Sequence, residues 1–142
     1  MNINNIFNFK NKVVLITGCN GQLGASLCHL FSNLGAKVYG MDLQKSSLIK
    51  NIKIYYLKCD LSKEINIKNK LNKIFNKEKK IDIIINNAAQ AVFSNYEKRT
   101  EKEILKIFNI NAAAVIKIIK NYSLLYKKFK MKKGNILNIG SI

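Results

Sequence analysis

The fold of this chain is decided at residues 13–24, which read Val-Val-Leu-Ile-Thr-Gly-Cys-Asn-Gly-Gln-Leu-Gly. Four apolar residues lead into a loop whose glycines occupy positions 18, 21 and 24. Apolar residues then recur at helical spacing from Leu23 to Leu34. A strand, a glycine loop and a helix in this order form the context that a dinucleotide-binding fingerprint requires.

Each glycine of this loop has a separate physical role in such a fingerprint. Gly18 allows the sharp turn, Gly21 leaves room for a pyrophosphate to approach bare backbone, and Gly24 allows the helix to pack closely against the strand. The helix N-terminus presents free N–H groups and a partial positive charge to the phosphates. The glycines alone also fit an ordinary strand-to-helix turn that needs positive φ angles, so the fingerprint needs support from elsewhere in the chain.

An acidic residue at the end of a second apolar run gives that support. Residues 36–42 read Ala-Lys-Val-Tyr-Gly-Met-Asp, and Asp42 lies about 20 residues beyond the glycine loop. A carboxylate at this place accepts hydrogen bonds from the adenosine ribose hydroxyls and repels a 2′-phosphate. The position of Asp42 therefore favours NAD over NADP, although Lys45 is close enough to leave NADP open.

The charge of the chain is unusual, because 25 lysine and arginine residues against 8 acidic ones give a formal net charge of +17. Such a balance is typical of proteins that bind nucleic acids or anionic membranes. Arg99 is the only arginine, however, and arginine is the usual reader of bases and phosphates. Since the lysines are spread along the chain, we expect a weak, salt-sensitive affinity for polyanions and no specific nucleic-acid partner.

The length and the remaining composition point to one domain. The 142 residues fit a single domain spanning residues 1–142. Cysteines at positions 19, 28 and 59 lack metal-ligand spacing and His29 is the only histidine, so we expect no metal site. No apolar run reaches the ~20 residues that span a bilayer, and no signal peptide opens the chain. These features predict a cytoplasmic protein without a membrane segment.

Apolar runs alternate with helical patterns along the whole chain. Strands are predicted at 12–17, 36–42, 52–58, 81–85 and 135–139. Helices are predicted at 22–34, as a short turn near 45–50, after a Ser62 cap, and from a Thr100–Glu103 capping box to about residue 129. The predicted apolar face of the helix after Ser62 is Ile67, Leu71, Ile74 and Phe75. The predicted apolar face of the long helix that begins at the capping box is Ile104, Ile107, Phe108, Val115, Ile119, Tyr122 and Tyr126.

This alternation predicts an α/β fold. Continuous apolar strands separated by helices form a parallel sheet that is covered on both faces. The expected architecture is a Rossmann-like, doubly wound, three-layer αβα domain whose five strands have the order 3-2-1-4-5. A ligand of such a sheet lies in the crevice at the carboxyl ends of the strands, where the strand order reverses.

Further motifs follow the predicted strands at that same edge. Asp60-Leu61 follows strand three, Asn86-Asn-Ala-Ala89 follows strand four, and Gly140-Ser141 follows strand five. Asn111 lies within the long helix. Each motif alone has an ordinary structural explanation, such as a loop that caps its own backbone. Their joint order and position are more informative than any one of them.

Taken together, these motifs resemble those of the short-chain dehydrogenase/reductase family, from about Lys12 to the last residue. The resemblance implies an NAD(P)-dependent oxidoreductase that transfers a hydride between nicotinamide and a carbonyl or alcohol substrate. It implies that Asn111 and Ser141 belong to the catalytic group. The residues that it implies for cofactor binding are Thr17, Gly18, Asn20, Gly21, Gln22, Leu23, Gly24, Asp42, Asp60, Leu61, Asn87, Ala88 and Ala89.

The motifs divide between two branches of that family. The glycine spacing Thr-Gly-x-x-Gly-x-x-Gly resembles the extended branch, which acts on nucleotide sugars. The Asn86-Asn-Ala stretch, Asn111 and the motif of strand five resemble the classical branch instead. A reductase or epimerase of nucleotide sugars therefore remains an alternative to a classical dehydrogenase.

A Tyr-x-x-x-Lys motif, which supplies the general acid/base tyrosine of the family, does not follow Ser141. Tyr126 and Lys130 match the motif as a string, but they precede strand five, near the amino ends of the strands, so we do not assign them that role. We therefore expect the chain to be the N-terminal part of a longer, homo-oligomeric enzyme and to be inactive alone. A non-catalytic dinucleotide-binding module is the other interpretation.

Overall fold

One parallel sheet forms the centre of the computed structural model, which describes residues 7–44, 49–93 and 95–140. Its strands have the order β3-β2-β1-β4-β5, as predicted, and every pair is parallel. The strands are β1 (Val13–Thr17), β2 (Lys37–Asp42), β3 (Ile54–Lys58), β4 (Ile83–Asn86) and β5 (Asn135–Asn138).

Helices lie on both faces of this sheet, but they leave all four residues of β5 exposed, so the expected cover on both faces is absent at this strand. The helices of the described residues are α1 (Gln22–Asn33), α2 (Glu64–Glu78), a 3₁₀ turn (Tyr96–Lys98), α3 (Glu101–Phe108), a π-helix (Asn109–Ala113) and α4 (Ala114–Lys128). None of the helices in this part of the chain is long and apolar enough to cross a membrane.

The alternation of side chains along β1 divides the core into two layers. Val13 and Leu15 lie in a cluster with buried residues of α2 and α4, whereas Val14 and Ile16 lie in a second cluster with Cys28 of α1. All five residues of β1 are buried. Successive side chains of a strand point to opposite faces of the sheet, so an unbroken apolar run is what a strand covered on both faces needs.

The strand register brings the motif residues to one end of the sheet, where the strands have their carboxyl ends. Thr17 lies opposite Met41, Asp42 opposite Lys58, and Asn86 opposite Asn138. The residues that follow β1, β2, β3 and β4 therefore leave the sheet at the same end.

The predicted Ser62 cap is wrong. Helix α2 begins at Glu64 with Lys63 at its N-cap position, and no side chain caps it. The Ser62 hydroxyl instead donates to Asp60 Oδ1 over 2.6 Å. This charge-assisted hydrogen bond holds the hydroxyl at Asp60, and no side chain accepts from the first N–H groups of α2.

The short helical turn predicted near 45–50 falls mostly on residues 45–48, which lie outside the described residues together with Lys45. Residues 49 and 50 are not helical.

The predicted capping box is confirmed at the start of α3. The Thr100 hydroxyl accepts from the Glu103 N–H over 3.3 Å, and Glu103 Oε2 accepts from the Thr100 N–H over 2.8 Å. The single long helix, however, is divided by the π-helix.

The predicted apolar face of the long helix is only partly correct. Tyr122 is buried, but Ile104 and Phe108 are 51% and 64% exposed. Ala114 and Ile118 are buried beside the predicted positions Val115 and Ile119. Apolar residues occur on more than one side of this helix, so periodicity alone did not identify the side that packs on the sheet.

Candidate functional site

A cleft of about 580 Å³ lies at the carboxyl ends of the strands. It brings together residues from the loops after β1, β2, β3 and β4, as the topology requires. Twelve of the residues predicted from the sequence line it: Gly18, Asn20, Gly21, Gln22, Leu23, Gly24, Asp42, Asp60, Leu61, Asn87, Ala88 and Ala89.

Some lining residues were missed, and some predicted ones lie elsewhere. Five lining residues were not predicted from the sequence, namely Leu43, Gln44, Cys59, Gln90 and Ile110, although all but Gln44 directly follow or precede a predicted site residue. Thr17 and Asn111 do not line the cleft. Ser141 lies outside the described residues.

Two glycines of the loop are required by the protein's own packing. Gly18 has a φ angle of +64°, and a Cβ atom there would lie 2.7 Å from the Cα of Ala88. A Cβ on Gly24 would lie 2.0 Å from the Gly18 carbonyl oxygen. Any side chain at these positions would force backbone atoms apart.

Gly21 differs from both of them. It is the N-cap residue of α1, with φ −75° and ψ 166°, which is extended backbone that any residue adopts. A Cβ atom there would meet only the Gly18 carbonyl oxygen, at 3.5 Å, which is an ordinary contact. Neither conformation nor internal packing therefore requires a glycine at this position, where bare backbone lines the cleft.

Thr17 and Asn87 hold the glycine loop against the loop after β4. The Thr17 hydroxyl accepts from the N–H groups of Asn87 and Ala88 over 3.0 and 3.1 Å. The Asn87 side chain donates to the carbonyl oxygens of Thr17 and Gly18 over 2.9 and 3.1 Å. The Thr17 side chain is buried behind the loop. It therefore affects ligand binding by holding the backbone of the loop after β4 in place.

Two carboxylates stand at one side of the cleft. Asp42 accepts from the N–H groups of Asn20 and Leu43 over 3.0 and 2.7 Å. Asp60 accepts from the Ser62 hydroxyl and the Ser62 N–H over 2.6 and 3.0 Å. These hydrogen bonds, the hydroxyl's above all, lower the pKa of Asp60, so the group is anionic at neutral pH.

Asn111 lies in the π-helix and clamps the loop after β4. Its Oδ1 accepts from the Gln90 N–H over 2.7 Å, and its Nδ2 donates to the Gln90 carbonyl over 3.1 Å. Short π-helices inside α-helices occur frequently at functional sites. The Asn111 side chain thus fixes the rim of the cleft at Gln90.

Tyr126 lies far from this arrangement. Its ring packs against Tyr122, with the ring centroids 5.9 Å apart, and against Gly134 at the amino end of β5. The cleft lies at the other end of the strands, their carboxyl ends, which agrees with leaving Tyr126 and Lys130 out of the catalytic group.

Comparison with known proteins identifies the family. A family model described as short chain dehydrogenase matches residues 12–142. The chain belongs to the short-chain dehydrogenase family.

Relatives among known proteins match most of the length of this chain. An uncharacterized oxidoreductase of Schizosaccharomyces pombe is 29% identical over 136 residues, covering 94% of this chain and 51% of that protein. A 3-ketodihydrosphingosine reductase of Bacteroides thetaiotaomicron is 28% identical over 131 residues, covering 92% of this chain and 47% of that protein.

A solved structure agrees with these relatives. The crystal structure of a short chain dehydrogenase from Leptospira borgpetersenii with bound NAD+ has a TM-score of 0.89 and 31% identity, covering 99% of this chain and 55% of that one. The chain therefore spans about half the length of the relatives it matches.

Proposed function

We propose that this chain binds a nicotinamide adenine dinucleotide, NAD in preference to NADP, in the cleft at the carboxyl ends of β1 to β4. As part of a whole enzyme it serves hydride transfer between that cofactor and a carbonyl or alcohol substrate. Family membership, the reductase from Bacteroides thetaiotaomicron and the NAD+ bound to the relative from Leptospira borgpetersenii support this proposal.

The observation that carries the proposal is the bare backbone at Gly21. The protein leaves space there that no part of its own fold uses, because a Cβ would meet nothing closer than 3.5 Å. Gly21 caps α1, whose first turn lines the cleft at Gln22, Leu23 and Gly24. The first N–H groups of a helix have no partner within the helix and carry partial positive charge, so a pyrophosphate fits this place.

The two carboxylates suit the adenosine part of the same ligand. Asp42, at the end of β2, accepts hydrogen bonds from ribose hydroxyls and disfavours a 2′-phosphate by charge repulsion. Asp60 and Leu61 at the end of β3 accommodate the adenine, by a hydrogen bond and by packing. The cleft volume of about 580 Å³ is within the range of cofactor sites.

The nicotinamide ring, when bound, supplies or accepts the hydride. Asn111 holds the Gln90 backbone beside the cleft, and in this proposal it orients the reacting end of the site. Ser141 positions the substrate oxygen by hydrogen bonding. The exposed apolar residues Leu105 and Phe108 of α3, 59% and 64% exposed, support a homo-oligomer for the complete enzyme.

Titration calorimetry with NAD+ on the 142-residue chain and its Gly21→Ser variant tests the proposal. Serine is as good an N-cap as glycine or better, so the variant unfolds at the same temperature or slightly above. Its side chain fills the space proposed for the pyrophosphate, so NAD+ binding weakens by roughly tenfold or more.

Ser26→Thr is the matched control for that titration. It adds one methyl group on an exposed position of the same helix, outside the cleft, and leaves NAD+ binding unchanged. A folded wild-type chain that does not bind NAD+, or a Gly21→Ser variant that binds as tightly as the control, contradicts the proposal.

A further inference from the structure

Lys117 joins two parts of the molecule that are distant in sequence. It lies on α4, in the turn after the π-helix, and it is half-buried. Its Nζ donates to the Ser62 carbonyl oxygen and to Asn109 Oδ1, both over 2.9 Å. One ammonium group therefore holds the turn between β3 and α2 against the first residue of the π-helix.

Both of these contacts continue to the wall of the cleft. On one side, the Ser62 hydroxyl and N–H donate to Asp60, which lines the cleft. On the other side, the π-helix that begins at Asn109 carries Asn111, whose side chain clamps Gln90, another lining residue. A continuous path of hydrogen bonds and helix backbone thus runs from Asp60 through Lys117 to Gln90.

The two hydrogen bonds from Lys117 Nζ, to the Ser62 carbonyl oxygen and to Asn109 Oδ1, are called the brace below, and their chemistry suits that role. Hydrogen bonds from a charged ammonium to neutral oxygens are shorter and stronger than those between neutral groups. The ammonium also acts on Asp60, whose pKa is lowered chiefly by the Ser62 hydroxyl and to a smaller extent by Lys117. An uncharged side chain at position 117 would leave both oxygens without this donor.

We infer that Lys117 is a positioning residue. It fixes the distance between the two parts of the cleft lining that contain Asp60 and Gln90, and this distance sets the fit of the cleft to the dinucleotide. The inference rests on the proposed function for its ligand. Lys117 touches no lining group directly, and it acts through Ser62 and through the π-helix.

Lys120 offers a matched control on the same helix. Its Nζ pairs with Glu64 Oε1 over 3.0 Å, so it also connects α4 to α2. Its side chain is 62% exposed, and neither partner lines the cleft. Lys117→Met and Lys120→Met remove the same charge from neighbouring turns, and only the first removes the brace.

Two measurements on the 142-residue chain test the inference. The first is amide hydrogen exchange without ligand, in which Lys117→Met increases exchange at residues 60–64 and 109–113 together, relative to Lys120→Met. The second is NAD+ titration, in which Lys117→Met weakens binding by roughly five- to tenfold and Lys120→Met by less than about twofold. Asn109→Leu, which removes the acceptor at the other end, weakens NAD+ binding in the same way and serves if Lys117→Met does not fold.

The outcomes separate this inference from the proposed function. Equal exchange and equal NAD+ affinity in Lys117→Met and Lys120→Met overturn the brace, even when the wild-type chain binds NAD+. A wild-type chain without NAD+ binding overturns the proposed function and with it the role of the brace in fitting a dinucleotide. A Lys117→Met variant that loosens only one of the two segments overturns the claim that the residue joins them.

Discussion

At the scale of single residues, the glycines of the first loop differ in what surrounds them, and so in the effect of replacing them. Gly24→Ala places a Cβ 2.0 Å from the Gly18 carbonyl oxygen, so the helix and the loop must separate. We expect a loss of about 2–4 kcal/mol in the free energy of unfolding, measured by urea denaturation. A Gly24→Ala variant as stable as Gly21→Ser would show that the loop adapts freely and would contradict this packing argument.

A second residue-scale prediction concerns cofactor preference. Asp42→Asn removes the negative charge that faces the proposed ribose. Because the Asn20 and Leu43 N–H groups bond to different oxygens of Asp42, asparagine keeps an acceptor for only one of them. We expect the ratio of NADP+ to NAD+ affinity to rise roughly tenfold, measured by titration with each dinucleotide. If the ratio stays constant, Asp42 serves only to hold the loop.

At the scale of elements, the turn between β3 and α2 depends on an ionised Asp60. The folded state lowers the pKa of this carboxyl, so its contribution to stability is present above the pKa of the unfolded chain, about 3.9. That contribution is lost as the pH falls through the lower, folded pKa. Between about pH 6 and about pH 3, the urea midpoint of the wild-type chain therefore falls further than that of Asp60→Asn.

The other carboxylates with lowered pKa values, Glu64, Glu78 and Glu103, are present in both proteins and cancel in this comparison. Parallel pH profiles for the wild-type chain and Asp60→Asn would mean that the Ser62 hydrogen bonds contribute no net stability.

The elements also indicate what can be read from the sequence. The strands and the α2 face of Ile67, Leu71, Ile74 and Phe75 were predictable, because short apolar runs and a single apolar helix stripe are clear patterns in the sequence. The buried side of α4 was not predictable, since apolar residues occur on several sides of this helix. The choice of Ser62 between a helix cap and Asp60 depends on local geometry that spacing does not contain.

The same limit applies to the candidate site. Residues that follow strands, such as Asp42 and Asp60, were predictable because the carboxyl ends of parallel strands meet at one edge. The brace at Lys117 left no motif, since Ser62 is brought to it only by the packing of α4 against α2, and Asn109, although on the same continuous helix, is eight residues away in sequence.

At the scale of the whole molecule, the two edges of the sheet differ in their side chains. β3 at one edge ends at Lys58, whereas β5 at the other exposes Leu137 by 52% and Ile136 by 37%. Among the described residues, β4 is the only strand that pairs with β5. A strand with one free side and exposed apolar groups is a template for pairing with another chain.

We therefore expect the 142-residue chain to self-associate through β5 despite its net charge of +17. Leu137→Lys places a charge on this edge, so light scattering at raised protein concentration falls well below that of the wild-type chain. Ile65→Lys is the control, because it adds the same charge at a residue 59% exposed on α2, away from the edge. Both variants change the free energy of unfolding by only about 0.5 kcal/mol, since neither side chain is buried. Equal suppression of scattering by both variants would assign the effect to net charge, whereas suppression by Leu137→Lys alone would identify β5 as the contact.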